Sequence, residues 1–215
     1  MKKGLTEIVC ILDRSGSMNH IASDAIGGFN AFLNEQKKVE GEANVTVALF
    51  STSYSLLAEN EPIESIKELT EDTYRPMGGT SLYDAIGNTI SAVGKRLNET
   101  DEAERPEKVI VAILTDGEEN SSNDYVSEDI KSMIKEQEDK YSWQFVFLAA
   151  NQDAFDAGSH FGMRSFNSIN FNATSKGSDV AFANISSYTT QVRCAKNVTA
   201  DTMASYVALT EDDVN

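Results

Sequence analysis

Cysteine is scarce, basic residues are outnumbered and no apolar run is long. Only Cys10 and Cys194 occur among 215 residues. One lies inside an apolar run and the other near a helical segment, so they read as two reduced thiols rather than a disulfide frame. The Asn-X-Ser/Thr triplets then carry no weight as glycosylation sites. The longest apolar stretches, such as 8–12 and 109–114, fall far short of the roughly 20 residues that a membrane helix requires. Lys2 and Lys3 are followed by Thr6, Glu7 and Asp13, without the apolar segment of a secretory leader, and a cytoplasmic protein is expected. Lys and Arg number 18 against 34 Asp and Glu, a formal charge of −16. Like charge opposes approach to a nucleic-acid backbone or an anionic membrane surface, so neither is expected as a partner. The only histidines, His20 and His160, lack metal-ligand spacing and read as surface or packing residues.

What the chain does have is core. Hydrophobic residues make up 40% of it, and a chain of this length buries about 70% of the surface it exposes when unfolded. Apolar runs rich in β-branched residues predict strands over Glu7–Asp13, Val45–Phe50, Val109–Thr115, Gln144–Ala149 and Ser165–Asn170. Their near-continuous hydrophobicity predicts burial on both faces. Ser53–Glu59 follows its predecessor too closely for a crossover and should be an antiparallel edge strand. Between the strands, helical spacing appears as Ile21, Ala25, Phe29 and Leu33, as Leu82, Ile86, Ile90, Val93 and Leu97, and as Ile130 and Ile134. Ser127 has the character of a helix cap, and Ser81 with Asp84 that of a capping pair. A last helix is expected over Gly177–Arg193, its inward residues being Val180, Ile185, Tyr188 and Val192. Glu99–Glu107 reads as a charged loop, Glu118 and Glu119 as a solvated face, and the phenylalanines from Phe145 to Phe171 as core beneath the last helix. The alternation predicts a three-layer α/β fold, a doubly wound and mostly parallel sheet with one antiparallel edge strand. One domain over residues 1–195 is expected, with 196–215 as a C-terminal extension.

In such a fold a ligand site lies where the winding reverses, at the carboxyl ends of the strands. The first strand ends in Asp13-Arg14-Ser15-Gly16-Ser17, and another ends in Thr115-Asp116-Gly117. Gly78-Gly79-Thr80 leads into a helix that can carry Thr80 over the same rim. All the side chains offered are oxygen donors, which suit a small hard cation. Singly, Asp13 and Asp116 would be ordinary turn residues; five donors on three segments are not an ordinary turn.

These residues resemble the metal-ion-dependent adhesion site of von Willebrand factor A domains, an Asp-x-Ser-x-Ser string with a distant Thr and a distant Asp. Asp13, Ser15, Ser17, Thr80 and Asp116 match it completely, and the resemblance covers residues from about 5 to 195. The chain is most similar to small single-domain bacterial and phage forms. The resemblance implies a Mg²⁺ site at those five residues, with Mn²⁺ or Ca²⁺ as possible substitutes. It also implies a protein partner whose Glu or Asp carboxylate completes the metal shell. An interaction module rather than an enzyme is expected. The alternative is a metal-assisted phosphatase or hydrolase with Asp13 as nucleophile. The sequence offers it no phosphate loop, no Gly-x-Gly-x-x-Gly and no Gly-x-Ser-x-Gly elbow.

Overall fold

Residues of both parities along the central strands are apolar, so each strand needs cover on two faces. A computed structural model, which describes residues 1–117, 119–149, 168–170 and 174–195, provides it. β1 (Lys2–Asp13) pairs in parallel with β2 (Glu42–Phe50) on one side and β4 (Pro106–Thr115) on the other. β3 (Tyr54–Pro62) runs antiparallel on β2, and β5 (Gln144–Ala149) and β6 (Ser168–Asn170) extend the parallel part. The six-stranded sheet has the order β3-β2-β1-β4-β5-β6. The winding therefore reverses between β1 and β4.

On one face Ile8, Cys10 and Leu12 pack with Phe29 and Leu33 of α1 (Ala22–Lys37) and with Ile185 and Val192 of α4 (Ser175–Cys194). On the other, Val9 and Ile11 pack with Ile86 and Ile90 of α2 (Leu82–Glu99) and with Ile130 and Ile134 of α3 (Ser127–Tyr141). This is the expected three-layer α/β arrangement. The four residues predicted to face inward from the last helix are all buried. Close approach of α1 and α4 depends on Gly28: a Cβ there would stand 2.0 Å from the Phe182 ring.

Some expectations need correction. β1 and β4 begin earlier than their apolar runs, because backbone pairing continues through polar residues: Lys2 N donates to Arg105 O (2.7 Å), and Leu5 is registered with Glu42. Phe145 and Phe147 are core, but beneath α2 and α3; the residues of β5 on the α4 side are Val146 and Leu148. Ser127 is the first residue of α3 rather than its cap, and Asp129 Oδ2 accepts from the N–H of Val126 instead (3.1 Å). His160, the later phenylalanines and the extension 196–215 lie outside the described residues. No described helix is long and apolar enough to cross a membrane.

Candidate metal centre

Parallel strands end at one pole, and register fixes which ends meet. Leu12 pairs with Leu114, so Asp13 and Thr115 close their strands side by side. Asp13 is wholly buried. Its Oδ2 accepts from the Thr115 hydroxyl (2.6 Å) and its Oδ1 from the Ser15 N–H (2.6 Å), which turns the chain sharply after the strand. The buried Tyr74 hydroxyl donates to the Asp13 carbonyl, and Arg14 N donates to Phe50 O (2.7 Å). The turn is thus tied to β2, β4 and the loop before α2.

A short 3-10 helix, Gly16–Ile21, follows and brings the serines together. The Ser15 and Ser17 hydroxyls lie 3.0 Å apart, and Ser17 Oγ donates to Asp116 Oδ1 (2.7 Å). Thr80 arrives from the loop before α2. That loop is pinned by Gly16 N to Gly78 O (2.9 Å) and Met77 N to Arg14 O (2.8 Å), with Gly78 in the left-handed region at φ +76°. A Cβ on Gly117 would stand 3.2 Å from Thr80 Oγ1 and 3.4 Å from Ser17 Oγ. The two hydroxyls therefore converge over the backbone that carries Asp116. All five residues singled out in the sequence meet at this pole. Ser17 is the exposed member; Asp13, Ser15, Thr80 and Asp116 are buried.

Burial pushes the Asp13 carboxyl up to about 6, against the lowering by the Thr115 and Ser15 bonds, and the Asp116 charge raises it further. Burial also raises Asp116, opposed by the Ser17 bond and by His20. Two desolvated carboxylates that repel one another are a setting in which a divalent cation would favour the ionised form. Hydroxyls and carboxylates are oxygen ligands, the kind that Mg²⁺ and Ca²⁺ take. Among the described residues no three His, Cys, Asp or Glu side chains gather as a metal cluster. The proposed donor set, made of hydroxyl and carboxylate oxygens, fits a hard ion.

Other residues at this pole escaped sequence reasoning. Glu119 is not a solvated face: its Oε2 accepts from Tyr83 N (2.9 Å) and the Ser122 hydroxyl (2.6 Å), and its Oε1 from Ser121 N and Ser122 N (2.7 Å each). Glu118 lies outside the described residues. Asp84 does not pair with Ser81; its carboxylate accepts from the N–H groups of Asn123, Asp124 and Tyr125. His20 is exposed, as a surface residue should be, and it stands beside the site, its Nδ1 donating to Ser17 O (2.5 Å) and lying 3.8 Å from Asp116 Oδ2. Thr115 was visible as a strand end, whereas Tyr74 gave no local signal because its role rests on a contact distant in sequence.

No family model matches the chain, and no curated protein matches it. Solved structures do. Proximal thread matrix protein 1 from the mussel byssus, with a zinc-occupied MIDAS motif, is 15% identical at a TM-score of 0.62, over 87% of this chain and 46% of that one. The manganese-loaded TRAP protein of Plasmodium vivax is 14% identical at a TM-score of 0.57, over 80% of this chain and 70% of that one. The vWF domain of the type V pili tip protein Mfa5 from Porphyromonas gingivalis is 10% identical at a TM-score of 0.60, over 90% and 98%. The present chain spans just under half the length of the mussel protein. At such identities the likeness concerns the fold, and the fold is that of a von Willebrand factor A domain.

Proposed function

We propose that the chain is a Mg²⁺-dependent protein-interaction module of the cytoplasm. Asp13, Ser15, Ser17, Thr80 and Asp116 would hold the ion, with Mn²⁺ or Ca²⁺ able to take its place, and a Glu or Asp carboxylate of a protein partner would complete its shell. The observation that carries this reading is the convergence of the Ser17 and Thr80 hydroxyls beside Asp116, backed by the buried Asp13. When bound, the ion supplies a Lewis-acidic position for an anionic oxygen. Asp13 orients the turn and the Thr115 hydroxyl, and Ser17 stands at the exposed mouth.

Support comes also from the solved neighbours, the mussel protein with its zinc-occupied MIDAS motif and the manganese-loaded TRAP protein. A wholly buried Asp13 is poorly placed as a nucleophile for an incoming substrate, which weighs against the phosphatase reading, whereas its oxygens, each accepting one bond, keep lone pairs for a small ion. The unpaired Cys10 and Cys194 suit a reducing compartment.

The test is affinity capture from a native lysate on immobilised wild-type chain in Mg²⁺, wild type in EDTA, and Thr80→Ala in Mg²⁺. A protein retained only in the first condition is the expected result. Identical retention in all three would refute metal-gated capture.

A further inference from the structure

Thr80 is the one proposed ligand that belongs neither to the β1 turn nor to the end of β4. It sits near the end of the long loop between β3 and α2, so its hydroxyl needs something to fix it. Ser81 N donates to Ser51 O (3.0 Å), which secures the residue after it. Thr80 itself is held from across the site. Its N–H donates to Asn120 Oδ1 (2.9 Å), and its carbonyl accepts from Asn120 N (3.0 Å). One residue thus occupies both backbone groups of Thr80, in the manner of a single rung of a sheet.

Asn120 is in turn set by its neighbours. The Ser121 hydroxyl donates to the same Oδ1 (2.6 Å). Glu119, the preceding residue, accepts from Ser121 N, Ser122 N and Tyr83 N, the last in the first turn of α2. Ser122 Oγ accepts from Asp84 N (3.0 Å). Gly79 leaves the room: a Cβ there would stand 2.3 Å from Ser121 Oγ and 2.7 Å from Asn120 Oδ1. The segment after Asp116 therefore holds the chain at Thr80 itself and again at the first turn of α2.

We infer that Asn120 is a positioning residue of the metal site, which sets the Thr80 hydroxyl relative to Asp116, with Glu119 anchoring it to α2. The inference rests on the reading of Thr80 as a ligand. Asn120 itself is exposed, so its loss leaves the core intact.

The experiment is calorimetric titration of Mn²⁺ into the metal-stripped full chain for wild type, Thr80→Ala, Asn120→Ala and the double variant. Asn120→Ser, too short to reach the Thr80 N–H, repeats the test, and circular dichroism checks folding. Thr80→Ala and Asn120→Ala should each weaken Mn²⁺ by about tenfold or more. If Asn120 acts through Thr80, the double variant binds no more weakly than Thr80→Ala alone, since residues that share one role are not additive. A residue that merely supports the loop would give additive losses, and that result overturns the inference. So does unchanged affinity in Asn120→Ala and Asn120→Ser beside a weakened Thr80→Ala, a pattern that leaves the metal site itself standing. Absence of saturable Mn²⁺ binding to wild type would instead remove the reading on which both depend.

Discussion

A single buried carboxylate illustrates how strongly context governs a residue. Glu7 on β1 is 1% exposed, and its Oε1 accepts from Arg96 of α2 and from the Thr46 hydroxyl (3.3 Å). Its Oε2 has no hydrogen-bond partner among the described residues. Burial raises its pKa above the ordinary 4.5, outweighing the lowering by Arg96. The folded state then keeps a proton that the unfolded state releases, so this group's contribution to stability falls as pH rises past the unfolded value. Wild type should accordingly lose stability relative to Glu7→Gln as pH rises from the ordinary 4.5 towards neutrality. Urea unfolding of both proteins across that range checks this, and a pH-independent difference would contradict it. No local pattern announced the pair. Glu7 sits in a predicted strand and Arg96 on a helix, and only the packing of α2 on the sheet brings them together.

Among the elements, α4 depends on polar contacts as much as apolar ones. Arg193 Nη1 donates to Gln36 O (2.5 Å) and Oε1 (3.2 Å), and Nη2 donates to Val39 O (3.3 Å) and Gly41 O (3.1 Å), which supplies partners to carbonyls at and beyond the end of α1. Gln36 Nε2 returns bonds to Ser186 and Thr190 of α4, and Lys108 of β4 donates to Arg193 O (2.7 Å) and Ala195 O (2.6 Å) at its end. Arg193→Ala strands several of these acceptors, and a loss of about 3 kcal/mol in urea unfolding is expected. Faster amide exchange in α4 should accompany it; unaltered stability would show the contacts to be idle. The helices and inner strands were legible because 3.6-residue spacing and β-branched runs are local. The oxygen donors of the candidate site were legible too, since Asp13, Ser15 and Ser17 fall on one turn and Asp116 directly follows a strand. What could not be read was the traffic between elements: Glu119 holding the start of α2, Asp84 tying down the following loop, Arg193 locking α1 to α4. Such bonds join residues that sequence separates, and their side chains look solvated until the fold closes over them.

Taken whole, the molecule carries −16 charges and gathers two buried carboxylates at one pole. On the proposed reading, a partner that offers one acidic side chain should present an otherwise basic surface, because long-range steering follows the broader field. Binding of a cation to the folded state alone would also raise stability, by about 2.7 kcal/mol when the free ion exceeds its Kd by about 100-fold. The most direct measurement is calorimetric titration of Mg²⁺ into the metal-stripped chain, wild type against Asp116→Asn, with folding of both confirmed by circular dichroism. Saturable binding of about one ion per wild-type chain, weakened by about tenfold or more in the variant, is the predicted result. Equal binding by both proteins, or none by wild type, would contradict the assignment of this pole as a metal site.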